Sequence, residues 1–417
     1  MRIVTLSGET ETRLFRARAK EDRTALAAAG KIVGDVRNRG NRALWDWAKR
    51  LDGVDLKRQG LWISQREFAG AKKRVGRKFL KAVEHAAGNV RRVAERQLPR
   101  EWMLKVERGV NVRQIVRPLD SIGCYIPGGR FALVSTLVMT VVPARVAGVP
   151  LIVAVCPRPN DELLAAAQLL GITRLARVGG AQAIAALAYG TGQIARVEKI
   201  FGPGNRYVTA AKQLISADCA IDLPAGPTEA VVLADRGNTE WIAADLLAQA
   251  EHAPDAGSFL VTTSRKFAEC VQQTVMRQLA ALPKENPAQH SIRKTGAIVV
   301  AKSLGSACEF VNRLAPEHLS LPEDGEKLLK RIRSVGTVFL GPLSAQPFGD
   351  YASGSNHVLP TGGWARRRGG LSAADFVKCI SVQSIDRAGF RGLSDDVQAL
   401  AGAEGLLAHA KAVVVRG

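Results

Sequence analysis

The sequence predicts an α/β protein built on mostly parallel β-sheets, and three observations support this. Short apolar runs typical of strands alternate with helical patterns of about ten to fifteen residues. Residues 150–156, PLIVAVC, form an unbroken apolar run, which indicates a strand buried on both faces. Hydrophobic residues make up 47% of the 417 positions, enough to bury large cores in about two or three domains.

The first part of the chain, to about residue 118, is predicted to be helical and rich in surface charge. Helical patterns cover 24–38, 43–51 and 64–96. A short strand at 121–125 then enters a glycine turn. Beyond it, the predicted elements are helix 135–147, strand 150–156, a helix from the Asn160 cap to residue 170, strand 175–178 and helix 180–188.

The same alternation resumes in the second half of the chain, where strands are predicted at 230–233, 258–262, 297–300 and 337–340. Helix 240–252 follows the first of these strands, with Asn238 or Thr239 as its N-cap. It ends before Pro254, because a proline disfavours the helical conformation of the residue before it. The segment after about residue 370 is predicted to be short and helical, with a strand-like end at 412–416.

The formal charge of +21 is concentrated near the N-terminus. Residues 1–120 hold 29 Lys and Arg against 14 Asp and Glu. Such an excess can indicate nucleic-acid binding, but the basic runs lack interleaved aromatic residues and match no nucleic-acid motif. A solvated basic helical surface is the simpler interpretation, so nucleic acid is not predicted as a partner.

The cysteine pattern and the hydropathy predict a cytoplasmic protein with no membrane partner. The six cysteines are scattered without a C-x-x-C pair, which indicates reduced thiols. The N-terminal residues lack the apolar stretch of a signal peptide. Prolines and an arginine interrupt the most apolar segment, 131–156, which is therefore interpreted as buried core.

Three glycine turns, at 125–129, 179–182 and 202–207, are candidates for a nucleotide site. Backbone can approach phosphate closely where a strand passes into a helix through glycine. None of the three has the complete G-x-G-x-x-G spacing, so ordinary tight turns remain an equal alternative. The looser match at 190–195 follows a helix and precedes a strand, which is the wrong context.

Two groups of polar residues suggest a catalytic centre. Gln249 and His252 are three positions apart at a predicted helix end, which suits half of a metal site or, more simply, a solvated helix end. Glu317 and His318 are adjacent and suit proton transfer, although a surface glutamate and a capping histidine would look the same. Asp350 lies in a glycine-flanked loop and, with Gln249, His252 and a further histidine, would complete an N/O set suited to zinc.

Seven motifs in order resemble the histidinol dehydrogenase family, over about residue 37 to the C-terminus. They are CYIPGGR at 124–130, GGAQAI at 179–184, FGPGNRYV at 201–208, DLPAGPTE at 222–229, QAEH at 249–252, APEHL at 315–319 and GDYASGSNHVLPTGG at 349–363. The resemblance implies a Zn²⁺-dependent enzyme that oxidises L-histidinol to L-histidine through L-histidinaldehyde in two NAD-linked steps, the last stage of histidine biosynthesis.

The resemblance also implies roles for individual residues. Glu317 and His318 correspond to the acid/base pair: His318 would take the alcohol proton and Glu317 would activate water. His357 is similar to a supporting site histidine. The zinc ligands would be Gln249, His252, Asp350 and His409. The NAD contacts would be Tyr125, Gln182 and Asn205. The substrate contacts would be Thr228, Glu404 and the zinc ligands, together with His318.

The fold implied by the resemblance is two incomplete Rossmann-like domains with small N- and C-terminal extensions. The C-terminal part is exchanged in a homodimer, which places Glu404 and His409 in the second subunit's site. The implied domains are 1–22, 23–120 with 230–372, 121–229, and 373–417.

Four features depart from the family pattern. Thr228 stands where serine is common, Ala253 where glycine or aspartate is usual, and Asn41 where an acidic residue is common; 366–368 is an unusual arginine triplet. None is a proposed metal ligand. They keep open an alternative, a paralogue that oxidises another polar or amino alcohol.

Overall fold

The computed structural model describes residues 1–18, 23–128, 132–223 and 226–417, so part of the predicted motifs at 124–130 and 222–229 lies outside the described residues. The strands are β1 Arg2–Thr5, β2 Trp102–Glu107, β3 Val110–Pro118, β4 Ser121–Tyr125, β5 Leu151–Val155, β6 Leu175–Ala176, β7 Lys199–Phe201, β8 Ala220–Ile221, β9 Glu229–Leu233, β10 Gly257–Thr262, β11 Ala297–Val300, β12 His318–Leu321, β13 Thr337–Leu340 and β14 Val377–Ile385.

The helices are α1 Gly8–Arg18, α2 Arg23–Arg39, α3 Asn41–Trp47, α4 Leu56–Gln59, α5 Gln65–Arg74, α6 Arg77–Gln97, α7 Val134–Val146, α8 Asp161–Leu169, α9 Gly180–Tyr189, α10 Arg206–Ile215, α11 Thr239–Ala250, α12 Arg265–Ala281, α13 Ala288–Lys294, α14 Leu304–Leu314, α15 Gly325–Leu329, α16 Gln346–Tyr351, α17 Arg387–Ala403 and α18 Leu407–Val414. A π-helical turn, Ala48–Asp52, continues α3.

The larger sheet has six strands in the order β1-β11-β10-β9-β12-β13, and every neighbouring pair is parallel. Strands β9, β10 and β12 are buried throughout. Side chains from both faces of β9 pack into separate apolar cores, with Val231 on one side and Val232 on the other. The sheet is thus covered on both faces, as parallel sheets require, and the predicted α/β class is confirmed.

The second sheet has five parallel strands in the order β6-β5-β4-β7-β8. From β4 the chain builds outward through β5 and β6 on one side, and then through β7 and β8 on the other. The direction of building therefore reverses between β4 and β7. Ligands of open α/β sheets bind outside the carboxyl ends of the strands at such a point.

A third sheet is antiparallel, in the order β14-β3-β2, and joins the C-terminal region to the residues before the second sheet. The predictions of helical structure up to residue 118, and of helical structure with a strand-like end after residue 370, missed these three strands. Strands β2 and β3 alternate apolar residues with Lys, Arg and Gln, so their charge resembled a helical surface. The pairing of β3 with β14 joins residues that are far apart in the chain, as between Val112 and Gln383.

Three further local predictions differ from the structure. The strand-like end 412–416 was wrong, because Leu407–Val414 is helix α18 packed on α17 and tertiary contact overrides the β-propensity of its valines. The helical pattern 64–96 is two helices, divided where Val75 and Gly76 are extended. The short strands β1 and β12 were not predicted, although both join the larger sheet.

Helices α2 to α6 cover the five-stranded sheet. Helix α2 and the π-helical turn share an apolar core with α9 and α10, and α5 and α6 share another with α7. Local sequence sets several helix starts, as where Ser64 and Glu67 form a reciprocal capping box. The division into four domains stays a prediction, and this packing favours grouping 23–97 with the five-stranded sheet.

No helix among the residues that the structure describes is long and apolar enough to cross a membrane.

Candidate active site

A cluster of buried polar side chains lies at the amino ends of β9 and β12 in the six-stranded sheet. Glu317 precedes β12 and His318 begins it, and both are more than nine-tenths buried. Thr228 precedes β9, and the main-chain pairing of β9 with β12 brings it beside Glu317. Gln249, in the last turn of α11, reaches the same point and is fully buried. The structure therefore brings four predicted site residues together.

A directed chain of hydrogen bonds runs through this cluster. Gln346 donates through Nε2 to Oε1 of Gln249, over 2.7 Å, and Gln249 donates through Nε2 to the hydroxyl of Thr228, over 2.9 Å. Thr228 donates in turn to Oε2 of Glu317, which also accepts the backbone N–H of Glu229 at 3.0 Å. A carboxylate only accepts, so the chain has one direction and ends on Glu317.

His318 is oriented by the backbone and exposes one nitrogen to the site. Its Nδ1 lies 3.3 Å from the carbonyl oxygen of Glu229, so that nitrogen carries the proton in the neutral ring. Its buried Nε2 has no hydrogen-bond partner among the described residues and lies 3.7 Å from Oδ1 of Asp350. A buried nitrogen left in this way is suited to a proton from a bound ligand.

The protonation states of the cluster are coupled. Burial raises the pKa of Glu317, and the nearby His318 and the Thr228 hydroxyl only partly oppose this rise. Burial alone would lower the pKa of His318, but the carboxylates of Glu317 and Asp350 raise it above its usual value. Burial lowers the pKa of His357 and keeps that ring neutral at physiological pH. The pKa values of Glu317 and His318 are thus both raised, and the protonation of each depends on the other.

Three of the four predicted zinc ligands converge, although His252 lies just beyond helix α11, which ends at Ala250 and not at residue 252 as predicted. Its Nδ1 is 3.0 Å from the carbonyl oxygen of Ala248, which leaves Nε2 free to bind a ligand. Gln346 contacts the other two: its Nε2 lies 3.4 Å from Oδ2 of Asp350 and 2.7 Å from Oε1 of Gln249. Burial opposes ionisation of Asp350, but His318 above all, with smaller contributions from His357 and His252, lowers the pKa of that carboxyl below its usual value.

This donor set fits a zinc ion by its chemistry. An imidazole nitrogen, a carboxylate oxygen and an amide oxygen are ligands that zinc accepts, and a four-coordinate ion would have one position left. No three His, Cys, Asp or Glu side chains among the described residues are close enough to hold a metal by themselves. A zinc site at this place would therefore need the glutamine amide as a ligand as well.

Glu404 and His409 are not part of this cluster within one chain. Glu404 caps the end of α17 and His409 lies in α18, and both are exposed. Their described backbone hydrogen bonds are local, Glu404 to Leu400 and His409 to Leu406.

His357 makes two contacts, one with the backbone at Asp350 and one with a helix of the five-stranded sheet. Its Nδ1 donates to the backbone carbonyl of Asp350 at 2.9 Å, and its Nε2 lies 3.3 Å from the hydroxyl of Thr136 in α7. The ring therefore links α16, the helix that carries Asp350, to α7, which packs on the five-stranded sheet; the prediction that Asp350 lies in a loop was wrong.

Two of the three predicted NAD contacts meet at the five-stranded sheet. Tyr125 ends β4, and its hydroxyl accepts the N–H of Gly180 at 3.1 Å. Gln182 lies in the first turn of α9 and is fully buried. Asp52 accepts the N–H of Gly179 and the side-chain amide of Gln182, each at 3.0 Å.

Asn205, the third predicted contact, caps α10 by accepting the N–H groups of Tyr207 and Val208. It follows β7, the neighbour of β4, on the far side of the topological reversal. A buried ion pair between Lys212 and Asp222 holds the turn at Gly202, before Asn205. Lys212 donates to the carbonyl oxygen of Gly202, and Asp222 accepts the backbone N–H of Gly202. The three predicted contacts therefore surround the carboxyl ends of β4 and β7.

Comparison with known proteins decides the family. The family model for histidinol dehydrogenase matches residues 15–417. The chain belongs to the histidinol dehydrogenase family.

Individual relatives agree with that assignment. Histidinol dehydrogenase of Methanothermobacter thermautotrophicus is 44% identical over 403 residues, covering 95% of this chain and 94% of that protein. Histidinol dehydrogenase of Halalkalibacterium halodurans is 46% identical over 396 residues, covering 93% of each. The crystal structure of histidinol dehydrogenase from Elizabethkingia anophelis matches with a TM-score of 0.95 and 36% identity, over 100% of this chain and 98% of that chain.

This member of the histidinol dehydrogenase family has site residues that sequence reasoning missed. Gln346 lies four positions before Asp350, one turn away on the same face of α16, and that spacing was a usable signal. Asp52, just beyond the predicted helix 43–51, and Lys212 showed no such signal, because each looked like an ordinary polar residue of a helical surface.

Proposed function

We propose that this protein catalyses the four-electron oxidation of L-histidinol to L-histidine through L-histidinaldehyde, the last steps of histidine biosynthesis, with NAD as oxidant. The family membership supports the substrate and reaction. The observation that carries the mechanism is the buried Nε2 of His318, which has no partner among the described residues and lies beside Asp350.

His318 is the base for the first step. A substrate alcohol beside Nε2 gives its O–H proton to the imidazole while its C–H hydride leaves, which forms the aldehyde. The carboxylates of Glu317 and Asp350 stabilise the imidazolium that results. The Nδ1 contact with the carbonyl of Glu229 keeps the ring in place throughout.

Glu317 is the base for the second step. Water adds to the aldehyde carbon, and the carboxylate takes the proton that this water releases. The hydrate anion that results then gives a second hydride to NAD and becomes the carboxylic acid. The hydrogen bonds from Thr228 and from the N–H of Glu229 fix the orientation of the Glu317 carboxylate, so the residue is preorganised.

Gln249, His252 and Asp350 would hold a zinc ion, with His409 as fourth ligand. When bound, zinc supplies a Lewis-acid centre that orients the amine and imidazole of the substrate. Because Gln249 donates to Thr228 and Thr228 donates to Glu317, the ligand set and the second base belong to one hydrogen-bonded unit.

Tyr125, Gln182 and Asn205 would bind NAD, which accepts the hydride in each step. Their position at the carboxyl ends of β4 and β7, where the strand order reverses, supports this role. Asn205 caps the start of α10, and the positive end of that helix dipole favours a phosphate nearby.

The active unit is proposed to be a homodimer in which Glu404 and His409 of each chain complete the site of the other. Exposed apolar side chains on β2 and in the C-terminal segment support a partner surface: Met103 is 74% exposed and Leu407 is 75% exposed. The six cysteines are free, four of them buried, which supports a reducing compartment such as the cytoplasm.

Purified, zinc-loaded protein with L-histidinol and NAD tests the proposal, with L-histidine as the measured product. Product that disappears on chelation supports it. An intact zinc-loaded dimer that forms no histidine would contradict it and would favour a paralogue acting on another polar or amino alcohol.

A further inference from the structure

Asp52 links the N-terminal helical region to the proposed cofactor site. It ends the π-helical turn Ala48–Asp52, an irregular feature often found at functional sites. Its Oδ2 accepts two hydrogen bonds of 3.0 Å, from the backbone N–H of Gly179 and from Nε2 of Gln182. Asp52 thereby joins positions 127 and 130 residues away, at the turn that opens α9.

The hydrogen bond from Gln182 to Asp52 fixes the orientation of the Gln182 side-chain amide. Both N–H groups donate to Oδ2. This oxygen can accept them in either protonation state of Asp52, because a proton on the carboxyl group would lie on Oδ1. Nε2 of Gln182 therefore faces Asp52, and Oε1 faces away from it. Burial raises the pKa of Asp52 and the two hydrogen bonds oppose that rise, as expected for a carboxyl enclosed by the fold.

Oε1 of Gln182 is a buried hydrogen-bond acceptor that lacks a donor. The side chain is fully buried, and Oε1 has no hydrogen-bond partner among the described residues. It lies against Gly180, where an added Cβ would be 2.6 Å from it, and Gly180 has φ of +62°. Only glycine leaves this space and tolerates this backbone conformation. A buried acceptor without a partner is costly unless a bound ligand supplies the donor.

The hydroxyl of Tyr125 complements this acceptor at the same turn. It accepts the N–H of Gly180, which leaves its own proton available for donation. The turn therefore offers one donor and one acceptor at the carboxyl end of β4, a pairing suited to amide, amino and hydroxyl groups of a dinucleotide.

We propose that Asp52 is a positioning residue for the cofactor: it holds the Gln182 amide so that Oε1 accepts a hydrogen bond from an amino or hydroxyl group of the dinucleotide. This inference rests on the proposed NAD-linked function. Asp52 acts through Gln182 and does not itself contact the cofactor.

NADH binding measured by fluorescence titration, without histidinol, tests the inference. Asp52→Ala should weaken NADH binding and raise the KM for NAD about tenfold, the loss of one or two effective hydrogen bonds, with little change in the KM for histidinol. Asp52→Asn should retain most of the affinity, because the amide oxygen can occupy the place of Oδ2. Asp55→Ala is the matched control, since it removes an acidic residue that caps α4 three positions away.

A double-mutant cycle separates positioning from general support of the fold. If Asp52 acts through Gln182, Asp52→Ala with Gln182→Ala should bind NADH no more weakly than Gln182→Ala alone. Additive losses, or an Asp52→Ala variant with normal NADH affinity, would overturn the inference. Wild-type protein that does not bind NADH would instead contradict the proposed function. If melting shows that Asp52→Ala does not fold, Gln182→Leu takes its place: it lacks the amide that Asp52 orients, and normal NADH affinity in that variant would overturn the inference.

Discussion

The Thr228 hydroxyl donates a 2.5 Å hydrogen bond to Oε2 of Glu317, although the two residues lie 89 positions apart. Thr228 also accepts from Gln249. One hydroxyl thus connects a proposed metal ligand with a proposed base. The methyl group that distinguishes threonine from serine leaves both of these hydrogen bonds in place.

Replacement of Thr228 tests that connection through the pH dependence of aldehyde oxidation. The hydrogen bond stabilises charged Glu317 and so lowers its pKa. Thr228→Val removes the bond, and the pKa should rise. A base must be unprotonated, so the acid limb of the kcat profile should move to higher pH. Thr228→Ser should keep the wild-type limb, and an unchanged limb in Thr228→Val would contradict the assignment.

His318→Asn should slow alcohol oxidation by about 10²- to 10⁴-fold, the usual contribution of a general base. Zinc content should stay at the wild-type level, because His318 is not a proposed ligand. Stopped-flow measurement of the first NADH formed isolates this step. Wild-type turnover would remove His318 from the role of base, whereas loss of zinc would assign it to the metal site.

His252→Ala should lose zinc and activity together, because the free Nε2 of His252 is one of few proposed ligands. Metal analysis after dialysis, with histidinol oxidation in parallel, measures both. His290→Ala is the matched control: His290 is an exposed histidine in α13 that the site does not use. A His252→Ala protein with full zinc and normal turnover would refute the ligand assignment.

Subunit mixing tests the shared active site. His409→Ala and His318→Asn homodimers should each be nearly inactive. After joint unfolding and refolding, half of the dimers are mixed and carry one intact site of two, so about a quarter of wild-type activity should return. No recovery in mixtures that contain mixed dimers would show that His409 serves its own chain.

Some of this architecture was readable from the sequence because its signals are local. The apolar runs that became β11 and β13 were predicted with their observed bounds, and Asn160 and Asn238 cap helices as their side-chain chemistry predicts. The β-strands of the third sheet were not readable, because β14 is mostly exposed and gains its order from pairing with β3.

The candidate site, too, could be predicted only where its residues carry a local signal. Glu317, His318 and Asp350 carried recognisable chemistry, and the structure places their side chains close together. The orientation of Gln249 depends on Gln346 and Thr228, and that of Gln182 depends on Asp52, 130 residues away. Such pairings follow from how the elements pack, so no local spacing could predict them.

The number of NADH molecules formed per histidinol consumed tests the central proposal most directly. Zinc-loaded wild-type enzyme with excess NAD should give two NADH and one L-histidine per histidinol, and a chelator should abolish both. One NADH with accumulating aldehyde would contradict the role of Glu317 in a second oxidation, and no NADH from an intact, zinc-loaded dimer would contradict histidinol as the substrate.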